Sequence, residues 1–100
     1  MNMQQMVQAM QKAQRELEKE YKKLEEKEYK ASSNGVVEIT MKGDSSILSI
    51  NILDDDLLNP ENKEELSEMI ILAYNKCKAE ITKEQDEVSN KFKRQSGGLF

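Results

Sequence analysis

The sequence predicts an α+β fold: a long N-terminal helix, a three-stranded antiparallel sheet and a long C-terminal helix. Three observations predict it. Residues 3 to 27 contain neither glycine nor proline and carry an apolar heptad; Asn34-Gly35 separates segments with strand-like alternation; and a 3.6-residue apolar stripe follows Asn59-Pro60 almost to the carboxyl end. Helices segregated from an antiparallel sheet are the mark of this class.

In the first segment, MQQMVQAMQKAQRELEKEYKKLEEK, strong helix formers dominate, and Met3, Met10, Leu17 and Leu24 repeat every seven residues. With Met6, Val7, Ala13 and Tyr21 they fill one face roughly 120° wide at about 100° per residue, a seam that needs a partner. A strand at about 27–31 follows. Asn34-Gly35, which tolerates the positive φ of a type I′ turn, returns the chain into a strand at 36–42. Gly43-Asp44-Ser45-Ser46 turns again into a strand at 47–53, where Leu48, Ile50 and Ile52 share a face.

Asn59-Pro60 marks a helix start, with asparagine accepting an orphan backbone N–H and proline at the first helical position. Leu66, Ile70, Ala73, Tyr74, Cys77, Ile81, Val88 and Phe92 then hold the stripe to Arg94, a length of roughly 50 Å at about 1.5 Å per residue. A three-stranded sheet cannot cover such a helix. Around Met69, Ile70, Ile71, Ala73 and Tyr74 the apolar residues run nearly all round it, which implies more than one neighbour there, so these five are the expected interface with a second subunit. Gly97-Gly98 stops the helix before a tail ending in Leu99-Phe100. Residues 1–100 read as one domain without internal repeats.

Composition removes most catalytic chemistry. There is one cysteine, Cys77, and no histidine among the 100 residues, so an intramolecular disulfide, a zinc finger, a Ser-His-Asp triad and a Cys-His pair are all out of reach. An enzyme would need a carboxylate pair in a pocket that this length does not provide. Asp54-Asp55-Asp56 lacks the alternating ligands and closing glutamate of a calcium loop, and the glycines lack the lysine and hydroxyl residue of a phosphate loop. No catalytic, metal or cofactor site is expected. Cys77 lies on the stripe as a small core residue, Tyr21 and Tyr74 read as packing, and Tyr29 is left open to base stacking. No small-molecule substrate is expected; no apolar run approaches the roughly 20 residues needed to span a bilayer and Met1 to Met10 is too polar for a secretory signal, so no membrane partner is expected and the expected location is the cytoplasm.

Fifteen Lys+Arg against nineteen Asp+Glu give a net charge of -4, and the layout matters more than the sum. Lys12, Arg15, Lys19, Lys22, Lys23 and Lys27 fall within an arc of about 140°, nearly opposite the apolar seam, with Glu16 and Glu26 intruding. Such an arc is either a solvated helix face or a ridge that tracks phosphates. On the second helix Glu61, Glu64, Glu65 and Glu68 come early and Lys91, Lys93 and Arg94 last, which the helix dipole explains, though the basic end could also touch phosphate.

The layout resembles the YbaB/EbfC family of bacterial nucleoid-associated proteins. The likeness rests on the Gln/Met/Lys-rich first helix, Asn34-Gly35-Val36-Val37-Glu38-Ile39-Thr40 with Gly43, Ile50-Asn51-Ile52 leading to Leu57-Leu58, Lys63-Glu64-Glu65-Leu66, the Ala73-Tyr74-Asn75-Lys76-Cys77 block and Gly97-Gly98. It departs at Asn59-Pro60, where the family usually has acidic residues, and in its short tail. The resemblance implies a homodimer whose projecting helices bind DNA and help organise the nucleoid. By position it assigns the first-helix bases as primary phosphate contacts and Lys91, Lys93 and Arg94 as secondary ones. The rival reading is a dimeric scaffold that grips a partner protein with its helical seams, which the adaptable Met3, Met6 and Met10 would suit.

Overall fold

The structure, a computed structural model, describes residues 2–95; the expected glycine stop and the Leu99-Phe100 tail lie outside them. The elements are α1 (Met3–Glu26), β1 (Glu28–Ser33), β2 (Val37–Lys42), β3 (Ile47–Ile52) and α2 (Lys63–Gln95), with 3-10 turns at Asp55–Leu58 and Pro60–Asn62. The strands form one antiparallel sheet in the order β1-β2-β3. The chain is therefore α+β as predicted, drawn out to 69 × 19 × 15 Å.

Both hairpin turns follow from local chemistry. Asn34 and Gly35 have φ of 49° and 70°, and Val36 N–H donates to Ser33 O at 3.0 Å, so the type I′ geometry forms. β1 runs two residues further than the sequence suggests, because Ser33, which reads as turn material, is fully buried and donates its hydroxyl to Met69 O at 2.7 Å. In the second turn Asp44 Oδ1 accepts from Ser46 N–H at 2.8 Å and from Ser46 Oγ at 2.5 Å.

β2 is the central strand, and its inward residues Val37, Ile39 and Met41 are fully buried. Across them pack Ala73, Cys77 and Ile81 of α2, with Tyr29 and Leu57 completing the core. The outer sheet face is polar: Glu38 pairs with Lys30 at 3.8 Å and accepts from Asn51 at 3.5 Å. A bulge between Thr40 and Met41 sets Ile47 opposite Met41, so the simple alternation expected through Leu48 is broken.

One expectation is corrected. Asn59 makes no side-chain cap; its carbonyl accepts from Asn62 N–H at 2.9 Å in the Pro60–Asn62 turn, and α2 proper begins at Lys63. The distal half of α2, which the sheet is too short to reach, is covered by α1. The first helix folds back antiparallel along it, with Tyr21 and Ser89 hydroxyls bonded and Lys27 reaching Glu84, so that Phe92 is buried within the chain itself.

Candidate nucleic-acid interface

α1 starts with a capping box that the sequence already contains as Asn2-x-x-Gln5: Gln5 N–H donates to Asn2 Oδ1 at 2.8 Å and Asn2 N–H to Gln5 Oε1 at 3.2 Å. The helix buries no residue completely, but Ala13, Leu17, Tyr21 and Leu24 are half-buried, and Tyr21 and Leu24 meet α2. Its phase is thereby set, and the opposite face points to solvent.

That outer face carries Lys12, Arg15, Lys19, Lys22 and Lys23, all exposed. Lys23 forms a loose i,i+3 pair with Glu20 at 3.4 Å. Lys12, Arg15, Lys19 and Lys22 make no ion pair among the described residues. These four lie within three helical turns and form the ridge proper.

Lys27 stands apart. It is the C-cap of α1, its backbone extended at φ -67° and ψ 141°, so the helical phase that placed it in the basic arc no longer applies. Its ammonium lies 2.6 Å from Glu84 Oε1 and 5.0 Å from the Tyr29 ring centroid. Glu84 accepts the Tyr29 hydroxyl on its other oxygen. The hydrogen bond from Lys27, then that from Tyr29, holds the Glu84 carboxyl below its ordinary value. Burial first and Glu84 second push the Tyr29 phenol up, so it stays a neutral donor and its buried ring cannot stack on a base.

At the end of α2, Lys91 sits over Phe92, 5.9 Å from its ring centroid, and lines the interhelical groove with Glu20, Glu84 and Glu87. Lys91 is itself exposed and forms no ion pair among the described residues. Lys93 and Arg94 are exposed in the last turn of α2, beside neither Lys12 nor Lys19 in sequence but on the same arm.

The expected dimer residues divide. Ala73 is fully buried in the chain's own core and can offer no surface to a partner, because α2 turns it onto the sheet. Met69, Ile70 and Tyr74 are half-buried against that core, while Ile71 is 57% exposed. More apolar surface appears where sequence reasoning did not look: Leu72 beside it, Leu53 and Leu58 after the sheet, and Ile47, Leu48 and Ile50 on β3. α2 lies over β1 and β2; β3 reaches the core through Ile52, while its Ile47, Leu48 and Ile50 stay exposed. β3 is also an open edge with no charged residue, whereas the opposite edge, β1, carries Glu28 and Lys30.

Cys77 is buried and donates weakly to Tyr29 O at 3.4 Å, and burial raises its thiol pKa, the opposite of what a nucleophile requires. Asp54 uses its carboxylate to cap Asp56 N–H at 3.0 Å. Among the described residues no cluster of three potential metal ligands occurs, and no helix is long and apolar enough to cross a membrane.

The model of the YbaB/EbfC DNA-binding family matches residues 1–96. The chain belongs to this family. Among its relatives, a nucleoid-associated protein of Clostridium novyi (strain NT) is 35% identical over 99% of this chain and 84% of its own length. A nucleoid-associated protein of Ureaplasma parvum serovar 3 is 33% identical over the whole of both chains. The crystal structure of an uncharacterized protein from Helicobacter pylori has the same fold at a TM-score of 0.75 and 20% identity, covering 91% of this chain and 96% of that one. The resemblance carried by the Asn34-Gly35 turn and the Ala73–Cys77 block therefore holds across the chain.

The residue that sequence reasoning missed is Glu84, an acid three residues after Ile81 and four before Val88 in an otherwise apolar stripe. An acid in that position signals a partner arriving from the facing element, here Lys27 and Tyr29.

Proposed function

We propose that this protein is a nucleoid-associated protein that binds duplex DNA through its backbone phosphates and acts as a homodimer in the nucleoid, without catalysing a reaction. The observation that carries the reading is the exposed, unpaired row of Lys12, Arg15, Lys19 and Lys22 on the outer side of a helix whose inner side is fastened to α2. From Lys12 to Lys22 the row spans about 15 Å along the axis. Duplex DNA offers roughly one phosphate charge per 1.7 Å, so several phosphates fall within reach. Contacts of this kind position a protein without reading bases, which implies weak sequence preference and steep salt dependence. Lys23 joins the row when phosphate competes with Glu20; Lys91, Lys93 and Arg94 extend the contact at the arm's end, and Lys27 serves the helix pairing instead.

The dimer is assigned to the β3 edge together with Ile71 and Leu72. An uncharged edge strand beside exposed isoleucines and leucines is a surface that a second copy can cover symmetrically. Two such subunits would present two arms and two ridges. The α1–α2 packing occupies the seam around Tyr21 and Leu24, while Met3, Met6 and Val7 stay exposed; the row of free cations on the outer face is what favours DNA over the scaffold reading.

The test is a salt titration of duplex affinity. Charge reversal by Lys19→Glu with Lys22→Glu should weaken binding at least tenfold at about 100 mM salt and flatten the logarithmic salt slope by about 0.9 for each phosphate no longer neutralised, with the oligomeric mass unchanged. An unaltered affinity would reduce the ridge to a solvated face.

A further inference from the structure

We propose that the amino-terminal tip of α1 pairs antiparallel with the same tip of a second copy, an association separate from the β3 dimer. Among the described residues nothing covers this tip. The Tyr21–Ser89 and Lys27–Glu84 contacts set the register of the two antiparallel helices, and in that register Gln95 comes level with about Arg15, given equal rise in both helices. α1 continues beyond, with Met3 80%, Met6 42% and Val7 46% exposed along the seam.

Two features of this tip select a second copy as its occupant. Residues 2–11, Asn-Met-Gln-Gln-Met-Val-Gln-Ala-Met-Gln, hold no charge in a chain where 34% of residues are charged. A charged partner would gain no ion pair there, while an identical tip meets no repulsion. The seam is also self-complementary. Met3, Met6, Val7 and Met10 are spaced symmetrically about the point between residues 6 and 7, so an antiparallel copy sets Met3 against Met10 and Met6 against Val7, twice each. An isologous contact requires this kind of symmetry. Methionine, unbranched and polarizable, fills such a short seam without exact complementarity.

The contact is about two turns long, so it forms at high local concentration, as along a coated duplex. The basic ridge lies nearly opposite the seam on α1, so pairing by the seams sets two ridges back to back, each facing its own duplex. If the DNA reading holds, tip pairing is a means of bridging two DNA segments. The pairing itself does not depend on that reading.

Sedimentation equilibrium of the full chain without DNA tests it directly. The weight-average mass should rise with concentration above the basal species. Met6→Glu with Val7→Glu places four acids in the contact and should abolish the rise, while leaving the basal mass and the circular dichroism unchanged. Met6→Glu with Val7→Lys should restore it, since each glutamate then faces a lysine in the antiparallel arrangement. A constant wild-type mass, a rise that survives the double glutamate, or a failure of the Glu/Lys variant to recover each overturns the proposal. The second of these would mean that the association lies elsewhere, and the last would mean that the tips do not meet antiparallel.

Discussion

A methyl group on Gly43 would stand 1.6 Å from the carbonyl oxygen of Leu24, while the Gly43 N–H donates to Lys27 O at 2.9 Å. This glycine is needed for closeness and not for a positive φ, which of the two described glycines only Gly35 has. Gly43→Ala should therefore cost more than about 2 kcal/mol, read as a fall in urea midpoint, because the carbonyl it strikes is backbone and the end of α1 must move off the sheet. Ser33→Ala should cost about 1 kcal/mol, the ordinary loss of one hydrogen bond, since Met69 O remains in a helix. Glu84 gives a pH dependence. Its carboxyl is held below the ordinary 4.5, so the stability it contributes is present above that value and is lost as pH falls through 4.5 toward the lower folded value. Acid unfolding followed by circular dichroism should show a step in that window, and Glu84→Gln should remove the step. In the sequence Gly43 is legible only as a turn residue and Glu84 only as a misplaced acid, because both act through atoms of a distant element.

At the scale of elements, the two helices form the arm, and the cations on it divide by what α1 does with them. Lys27→Met should lower stability, by loss of the Glu84 pair and the contact with the Tyr29 ring, and should leave the salt slope of DNA binding nearly unchanged. Arg15→Glu should do the reverse: an exposed helix position tolerates it within about 0.5 kcal/mol, while duplex affinity falls. Urea unfolding and a salt series on the same two variants separate the roles. The helical period made the seam and the ridge legible, since residues 12 to 23 obey one rotation per residue. It ceases to apply at Lys27, where the chain leaves the helix and the ammonium pairs with Glu84.

For the whole molecule, the decisive asymmetry is that α2 crosses β1 and β2 and leaves Ile47, Leu48 and Ile50 of β3 exposed. Ile50→Asp, and separately Ile71→Asp, should yield a monomer by sedimentation with the circular dichroism spectrum retained, because both side chains are exposed within one chain. Duplex affinity should drop more than the loss of one ridge explains, since two linked ridges bind at high effective concentration. The elements, the type I′ turn, the core stripe of α2 and the sorting of cations away from apolar residues are determined by the sequence itself, because each arises from a short periodicity or a backbone preference. What covers what was decided by the tertiary structure. The same stripe that announces a buried α2 does not say whether α1 or another chain meets its distal half, nor that Ala73 turns to the sheet while Ile71 turns away. Those outcomes depend on the crossing of helix over sheet and on the width of three strands, which are set by packing between segments far apart in the chain.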